Sequence, residues 1–264
     1  MSKQISTAFR NFLAQGGGWG DALANGVIKV YTGTQPASPD TAPSGTLLCT
    51  YTLASGALTA EVPATATILL AGASGSVNTL TVGSRPLITS AVNFVTDINT
   101  TAAALATAIN NVRHIHGYTA SASTATVTIT APKNTGAYLN GATVAVGVTT
   151  LTATINGGSS TTLGGTGATA GVTAVNGLNF TLPAVAGVLS KESGVWSGVA
   201  VATGTAGWLR FSESADTGAT GTAFIRFDAS IGTSGADFNI TNATISSGAT
   251  QTLSPFSITT NIIE

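Results

Sequence analysis

Apolar and polar residues alternate with a period of two along most of this chain, the spacing that a half-buried strand requires. In "GVIKVYTG" at 26–33, Val27, Lys29 and Tyr31 oppose Ile28 and Val30, and "TLLCTYTL" at 46–53 repeats the pattern. Between them, "TQPASPDTAPSG" holds Pro36, Pro39 and Pro43, which have no N–H to give to a ladder, so a connecting loop is predicted. Further on, "GWLRFSES" and "TAFIRFDAS" read as a hairpin in which Leu209 and Phe211 share an apolar face with Ile225 and Phe227. Arg210, Arg226 and Asp228 then fall on the opposite face, where an exposed cross-strand pair is worth only about 0–1 kcal/mol. "ADFNITNATISSGATQTLSPFSIT" at 236–259 supplies two or three more short strands. Strands of this length and spacing predict an antiparallel β-sandwich or barrel.

The middle of the chain has another rhythm: two strand patterns, a helix, then strand patterns again. "TATILLAG" and "SVNTLTVGS" precede "NTTAAALATAINNVR"; "YTASASTATVTITAP" and "GATVAVGVTTLTATING" follow it. Asn99, Thr100 or Thr101 is placed to cap the helix, and Leu105, Ile109 and Val112 fall on one stripe. The flanks "AGASGSV" and "NGGSSTTLGGTGATAG" have the Gly, Ser and Thr content of hinges. Residues 66–162 are therefore expected to form a small α+β domain with one helix. It is inserted into a discontinuous β-sandwich made of 21–65 and 163–264.

Residues 1–20 are expected to form an arm. Ile5, Phe9, Phe12 and Leu13 in "ISTAFRNFLAQ" recur at helical spacing, and "QGGGWGD" at 15–21 follows with three glycines and an exposed Trp19. A phosphate cradle would need those glycines between a strand and a helix, with a Lys and a Ser or Thr after them; here a strand follows instead. An isolated helix this short is marginal in water and needs a surface to pack on. Two destinations are open. The arm docks on a neighbouring subunit through Ile5, Phe9, Phe12, Leu13 and Trp19, or it folds back onto its own sandwich.

Composition narrows the function classes. Only 7% of the 264 residues are charged, against about 25% in ordinary soluble domains, and the net charge is -1. So neutral a surface suits a subunit covered by its neighbours better than a free enzyme. Nine scattered lysines and arginines leave no footprint for nucleic acid or an anionic membrane. Neither a signal peptide nor a span of about 18 uninterrupted apolar residues is found. The lone Cys49 lies in a strand pattern and reads as a buried small hydrophobe.

"GVIKVYTGTQPASPDTAPSGTLLCTYTL", "ATGTAGWLRFSES" and "SIGTSGADFNITNATISSGATQTLSPFSIT" together resemble small β-sandwich virion proteins of tailed bacteriophages. The shared features are the Y-x-G-x-Q-P loop at 31–36 and the G-T-S-G-A-D turn at 232–237. The middle segment, with "LATAINN", "YTAS" and "VTITAP", is similar to modules inserted in many phage structural proteins. The resemblance implies a head-decoration or tail component, assembled in the bacterial cytoplasm, whose partners are its own copies and capsid or tail subunits. The insertion of about a hundred residues departs from the compact pattern.

Candidate chemistry is sparse. His114 and His116 form the H-x-H pair of some metal sites, but no Cys or carboxylate lies near them in sequence to complete a set and Asp97 would have to approach in space; the other reading is that they end a solvated helix. Ten carboxylates are spread from Asp21 to Glu264, and Glu213 with Asp216 reads as solvated acids of a hairpin turn. No G-x-S-x-G elbow occurs, so neither catalysis nor a cofactor is expected. The rival to a virion subunit is a surface adhesin or carbohydrate-binding module for a host-surface glycan, using Trp19, Trp196, Trp208 and Tyr138.

Overall fold

A computed structural model describes residues 3–253 and 256–259. Glu264 and Pro255, which figured in the sequence patterns above, lie outside the described residues. The chain divides into two compact units, Met1–Ala60 with Ala174–Glu264, and Glu61–Thr173. The division falls outside the expected 66 and 162 because the chain stays paired on both sides of it. Thr59 bridges Val175 in the outer unit, and Val62 bridges Val172 in the inserted one. The fold is mainly β, built of antiparallel sheets of the sandwich type.

The outer unit is built on a nine-stranded sheet. Its main path runs Gln4–Ile5, Arg226–Gly232, Gly204–Ser212, Val27–Thr32, Leu47–Leu53, Trp196–Val199 and Thr250–Leu253. Phe238–Asn239 adds to Arg226–Gly232 as a parallel pair, and Thr244–Ile245 to Gly204–Ser212. The two-residue period acts as predicted. Phe211 lies opposite Phe227 and Leu209 opposite Ala229, so one face of the hairpin is apolar. That face joins Ile28, Val30, Tyr51, Trp196 and Phe256 in one core. Cys49 is buried in it, and burial pushes its thiol up to about 11, so it is unreactive at neutral pH.

The inserted unit packs two four-stranded sheets around one core. One contains Val144–Thr149, Ser76–Val82, Arg85–Pro86 and Val92–Asn93. The other runs Thr152–Ile155, Thr65–Ala71, Thr126–Thr130, Thr119–Ser123. Among the described residues this unit has two α-helices rather than one. α1 will denote the arm helix Thr7–Ala14, α2 Trp19–Leu23, α3 Ile98–Asn111 and α4 the single turn Arg113–His116. α3 is the helix expected from the alanine run, but it starts earlier than Asn99 allows. Asp97 is its N-cap, its carboxylate accepting from Thr100 N–H at 2.8 Å, and those bonds hold the carboxyl below its ordinary range. Leu105 and Ile109 are buried as predicted, with Thr101 and Ala102 beside them.

Asparagines close the loose ends of the insert. The Asn110 amide donates to Ala120 C=O at 2.8 Å and accepts from Ala120 N–H at 2.9 Å, supplying to the strand Thr119–Ser123 the pair of bonds that another strand would give. Asn140 does the same for Gly171, at 2.9 and 2.7 Å. Asn156, itself buried, accepts from Thr67 N–H and donates to Thr162 C=O and Ser160 Oγ.

Candidate interaction site

The arm begins as a strand. Gln4 and Ile5 pair with Asp228 and Phe227 on the edge of the nine-stranded sheet. Ser6 then turns the chain into α1. Its Oγ accepts from Phe9 N–H at 3.2 Å and from Arg226 N–H at 3.0 Å, and donates to Phe224 C=O at 2.9 Å. An N-cap of this kind is worth about 1 kcal/mol, and here it also fastens the helix to the sheet edge. At the first turn the Asp40 carboxylate accepts from Thr7 N–H at 3.0 Å and from Thr7 Oγ1–H at 2.6 Å, a favourable place for an anion.

The expected apolar stripe exists, and its destination is the chain's own core. Phe9 is 0% exposed; Ile5, Phe12, Leu13 and Trp19 are partly buried against the same cluster. The Phe9 ring meets Trp19 edge-on at 4.7 Å, and Trp19 meets Phe227 at 5.9 Å. Trp19 is thus half-buried rather than exposed. The three glycines end the helix: Gly17 N–H donates to Phe12 C=O and Gly16 N–H to Leu13 C=O, with Gly16 at φ +86°. That is a Schellman closure, which requires a left-handed residue where Gly16 stands. Gly18 then caps the one-turn α2. The stretch closes α1 and opens α2, so a helix follows the glycines where a strand was expected, and a helix rather than a strand precedes them.

The opposite face of the hairpin overturns the sequence reading. Arg210 and Asp228 stand directly opposite each other and pair through two bonds of 2.7 Å, both side chains buried. Arg226 grips Asp216 in the same two-pronged way, at 2.9 and 2.6 Å. The alternation assigned the face correctly, but the face is not open to water. The Pro-rich loop between Thr32 and Leu47 contributes its carbonyls: Thr41 C=O accepts from Arg210, and Pro39 C=O from Arg226. Ala219 C=O, from the loop after Asp216, takes another Arg226 N–H. Tyr31 stacks on Trp208 at 4.6 Å, and the Arg210 guanidinium lies 5.4 Å from the Trp208 ring. Asp216 is therefore no solvated turn acid, and Glu213 accepts from Ile225 N–H at 2.7 Å. Burial works against ionisation of Asp216, but the Arg226 bonds and Gly218 N–H outweigh it and hold the carboxyl below its ordinary value. At Asp228 burial prevails over Arg210 and raises it.

The two features are joined. Asp40 holds the arm through Thr7, while its neighbours Pro39 and Thr41 hold the two arginines, and Gly221 N–H donates to Asp40 C=O. Sequence reasoning missed Ser6 and Asp40; "S-T-A-F" before an apolar run was a legible cap, whereas Asp40 had no local signal. No protein-family model, curated protein or solved structure matches this chain. Function has to be read from its own geometry.

The other candidates fare unequally. Trp196 and Trp208 are 1% and 0% exposed, which removes them as glycan platforms; Tyr138 is open at 87%. The two histidines do not converge. On the helical turn Arg113–His116 residues two apart point to opposite sides: His114 is exposed, whereas His116 is buried with Nδ1 accepting from Tyr118 N–H at 3.0 Å. Asp97 caps the far end of the 14-residue α3, roughly 20 Å along its axis. Among the described residues no three metal-ligating side chains cluster, and no helix is long and apolar enough to cross a membrane.

Proposed function

We propose that the chain is a non-enzymatic structural subunit of a phage virion, a head-decoration or tail component that contacts its own copies and capsid or tail subunits. The observation that carries this reading is where the scarce charges go. Of nine basic side chains, Arg210 and Arg226 are consumed in buried pairs with Asp228 and Asp216, so an already neutral chain spends part of its charge internally. Its surface also leaves Val185, Val199 and Val201 exposed. Such a surface is poor at staying dispersed and well suited to being covered by neighbours. The resemblance of the 31–36 loop and 232–237 turn to virion proteins points the same way.

The experiment is to band particles from a lysed host carrying the gene and to quantify their proteins by mass spectrometry. The reading expects this chain in the particle band at a fixed ratio to the major capsid or tail protein. Its presence only in the soluble fraction contradicts the reading. The adhesin alternative rests on Tyr138, and glycan binding by the purified chain that is lost on Tyr138→Ala would favour it instead.

A further inference from the structure

We propose that residues 4–14 are an exchangeable arm, which fills this chain's own groove in an isolated copy and the identical groove of a second copy when copies are crowded. The inference stands on the outer unit alone and does not depend on the virion reading.

Three observations carry it. The arm's bonds to the body are self-contained: two strand residues on the sheet edge, the Ser6 and Thr7 bonds, and the Phe9 side chain in its pocket. A second copy presents the same edge, the same Asp40 and the same pocket, so the bonds made in the exchanged form equal those lost on opening. Next, the connection is a hinge. The Schellman closure at Gly16 and Gly17 travels with α1, a Cβ built on Gly16 would meet nothing within 4 Å, and the chain can pivot at Gly18, whose carbonyl is tied only forward into α2 by Ala22 N–H at 2.9 Å. Last, apolar surface lies at the hinge exit. Leu182 is 56% exposed, and its side chain would meet a Cβ on Gly20 at 2.6 Å; Val185, three residues further on, is 75% exposed. Two bodies joined by crossing arms can bury that surface, which the closed form leaves in water.

Concentration sets the balance. A segment on a short linker acts on its own groove at roughly millimolar effective concentration, so closure prevails in dilute solution and exchange gains as copies approach that density. An ordered array of copies is one way to reach it.

The test uses full-length chains. Thr7→Cys in one preparation and Asp40→Cys in another are mixed at concentrations from micromolar to millimolar and treated with a short bis-maleimide; buried Cys49 does not compete. Exchange predicts a covalent dimer whose linked peptides contain positions 7 and 40 and whose yield rises at least tenfold over that range. A mixture of Thr7→Cys with Ser84→Cys, an exposed position, should stay unlinked. The double variant Thr7→Cys/Asp40→Cys should close within one chain when dilute. If it closes while the mixed singles give no 7–40 dimer at millimolar concentration, the proposal is overturned. A second variant covers the case in which Asp40→Cys loosens the fold. Deleting Gly18 shortens the hinge and leaves the closure at Gly16 and Gly17 in place, and native mass spectrometry should then find dimer; a folded monomer, with its arm bound or released, overturns exchange.

Discussion

The outer unit is held by large aromatic side chains and buried ion pairs, the insert by smaller apolar side chains and by polar side chains bonded to its backbone. All three tryptophans and every phenylalanine except Phe94 belong to the outer unit, as do both buried Arg–carboxylate pairs. The insert builds its core from Ile, Leu, Val and Ala around α3, and completes its backbone bonding with Asn110, Asn140 and Asn156. Of the nine basic residues it holds only Arg85, Arg113 and Lys133. The difference teaches where single changes hurt. A buried ion pair has little net worth when intact but a high cost when halved, because the remaining charge is stranded. An amide bridge distributes smaller stakes over more sites.

Halving a pair should give the largest effect. Arg210→Met leaves Asp228 buried without its partner and is expected to destabilise the outer unit by about 3–5 kcal/mol. Since every tryptophan sits in that unit, denaturant unfolding followed by tryptophan fluorescence reads it alone. The double change Arg210→Met/Asp228→Leu should recover much of the loss. A single variant as stable as the parent would remove the ion pairs from the account.

Truncating the arm's anchor comes next. Phe9→Ala empties a fully buried pocket, for an expected loss of about 3–5 kcal/mol at the upper end of what a terminal helix can transmit. Hydrogen exchange should show α3 amides unchanged. Protection lost in both units together would mean that they do not unfold separately.

Smaller again is Asn156→Ala, which strands Thr67 N–H and Thr162 C=O in the insert at about 1–3 kcal/mol. The tryptophan transition should not move, while hydrogen exchange in Thr65–Ala71 should accelerate. Both histidines lie in the insert, so mild acid should tell the units apart as well. Burial lowers the pKa of His116, helped by nearby Arg85 and His114 and opposed by the carbonyls of Leu87 and Ile109. A depressed imidazole means that the unfolded chain binds a proton first. Stability is then fully present above the ordinary histidine value of about 6.5 and falls as pH drops below it. Asp228, whose carboxyl is raised, contributes with the opposite sign in the outer unit. Protection of the α3 and α4 amides, measured relative to their intrinsic exchange at each pH, should fall as the pH drops from 7.5 to 5.5, and His116→Gln should flatten that response.

Much of this architecture was legible because it obeys local rules. The two-residue period found strands within 26–33, 46–53 and 207–214, where the chain forms Val27–Thr32, Leu47–Leu53 and Gly204–Ser212, and the alanine run placed α3. The stripe Ile5, Phe9, Phe12, Leu13 was visible too, but periodicity names a face and not what covers it. The same limit explains the arginines: alternation put Arg210 and Arg226 opposite the apolar core, and only the long-range return of Pro39 and Thr41 turned an outer face into a buried one. Asp40 to Thr7 spans 33 residues, beyond the reach of any local pattern.

Removal of the insert tests the central claim, that the two units are separately stable, most directly. Thr59 and Val175 are paired across the base of the outer unit, so Ala60 and Ala174 can be joined by a short Gly-Ser link in place of 61–173. The account predicts that this shortened chain keeps a single cooperative tryptophan-fluorescence transition, with a midpoint close to that of the full-length protein. Loss of the cooperative transition would contradict it.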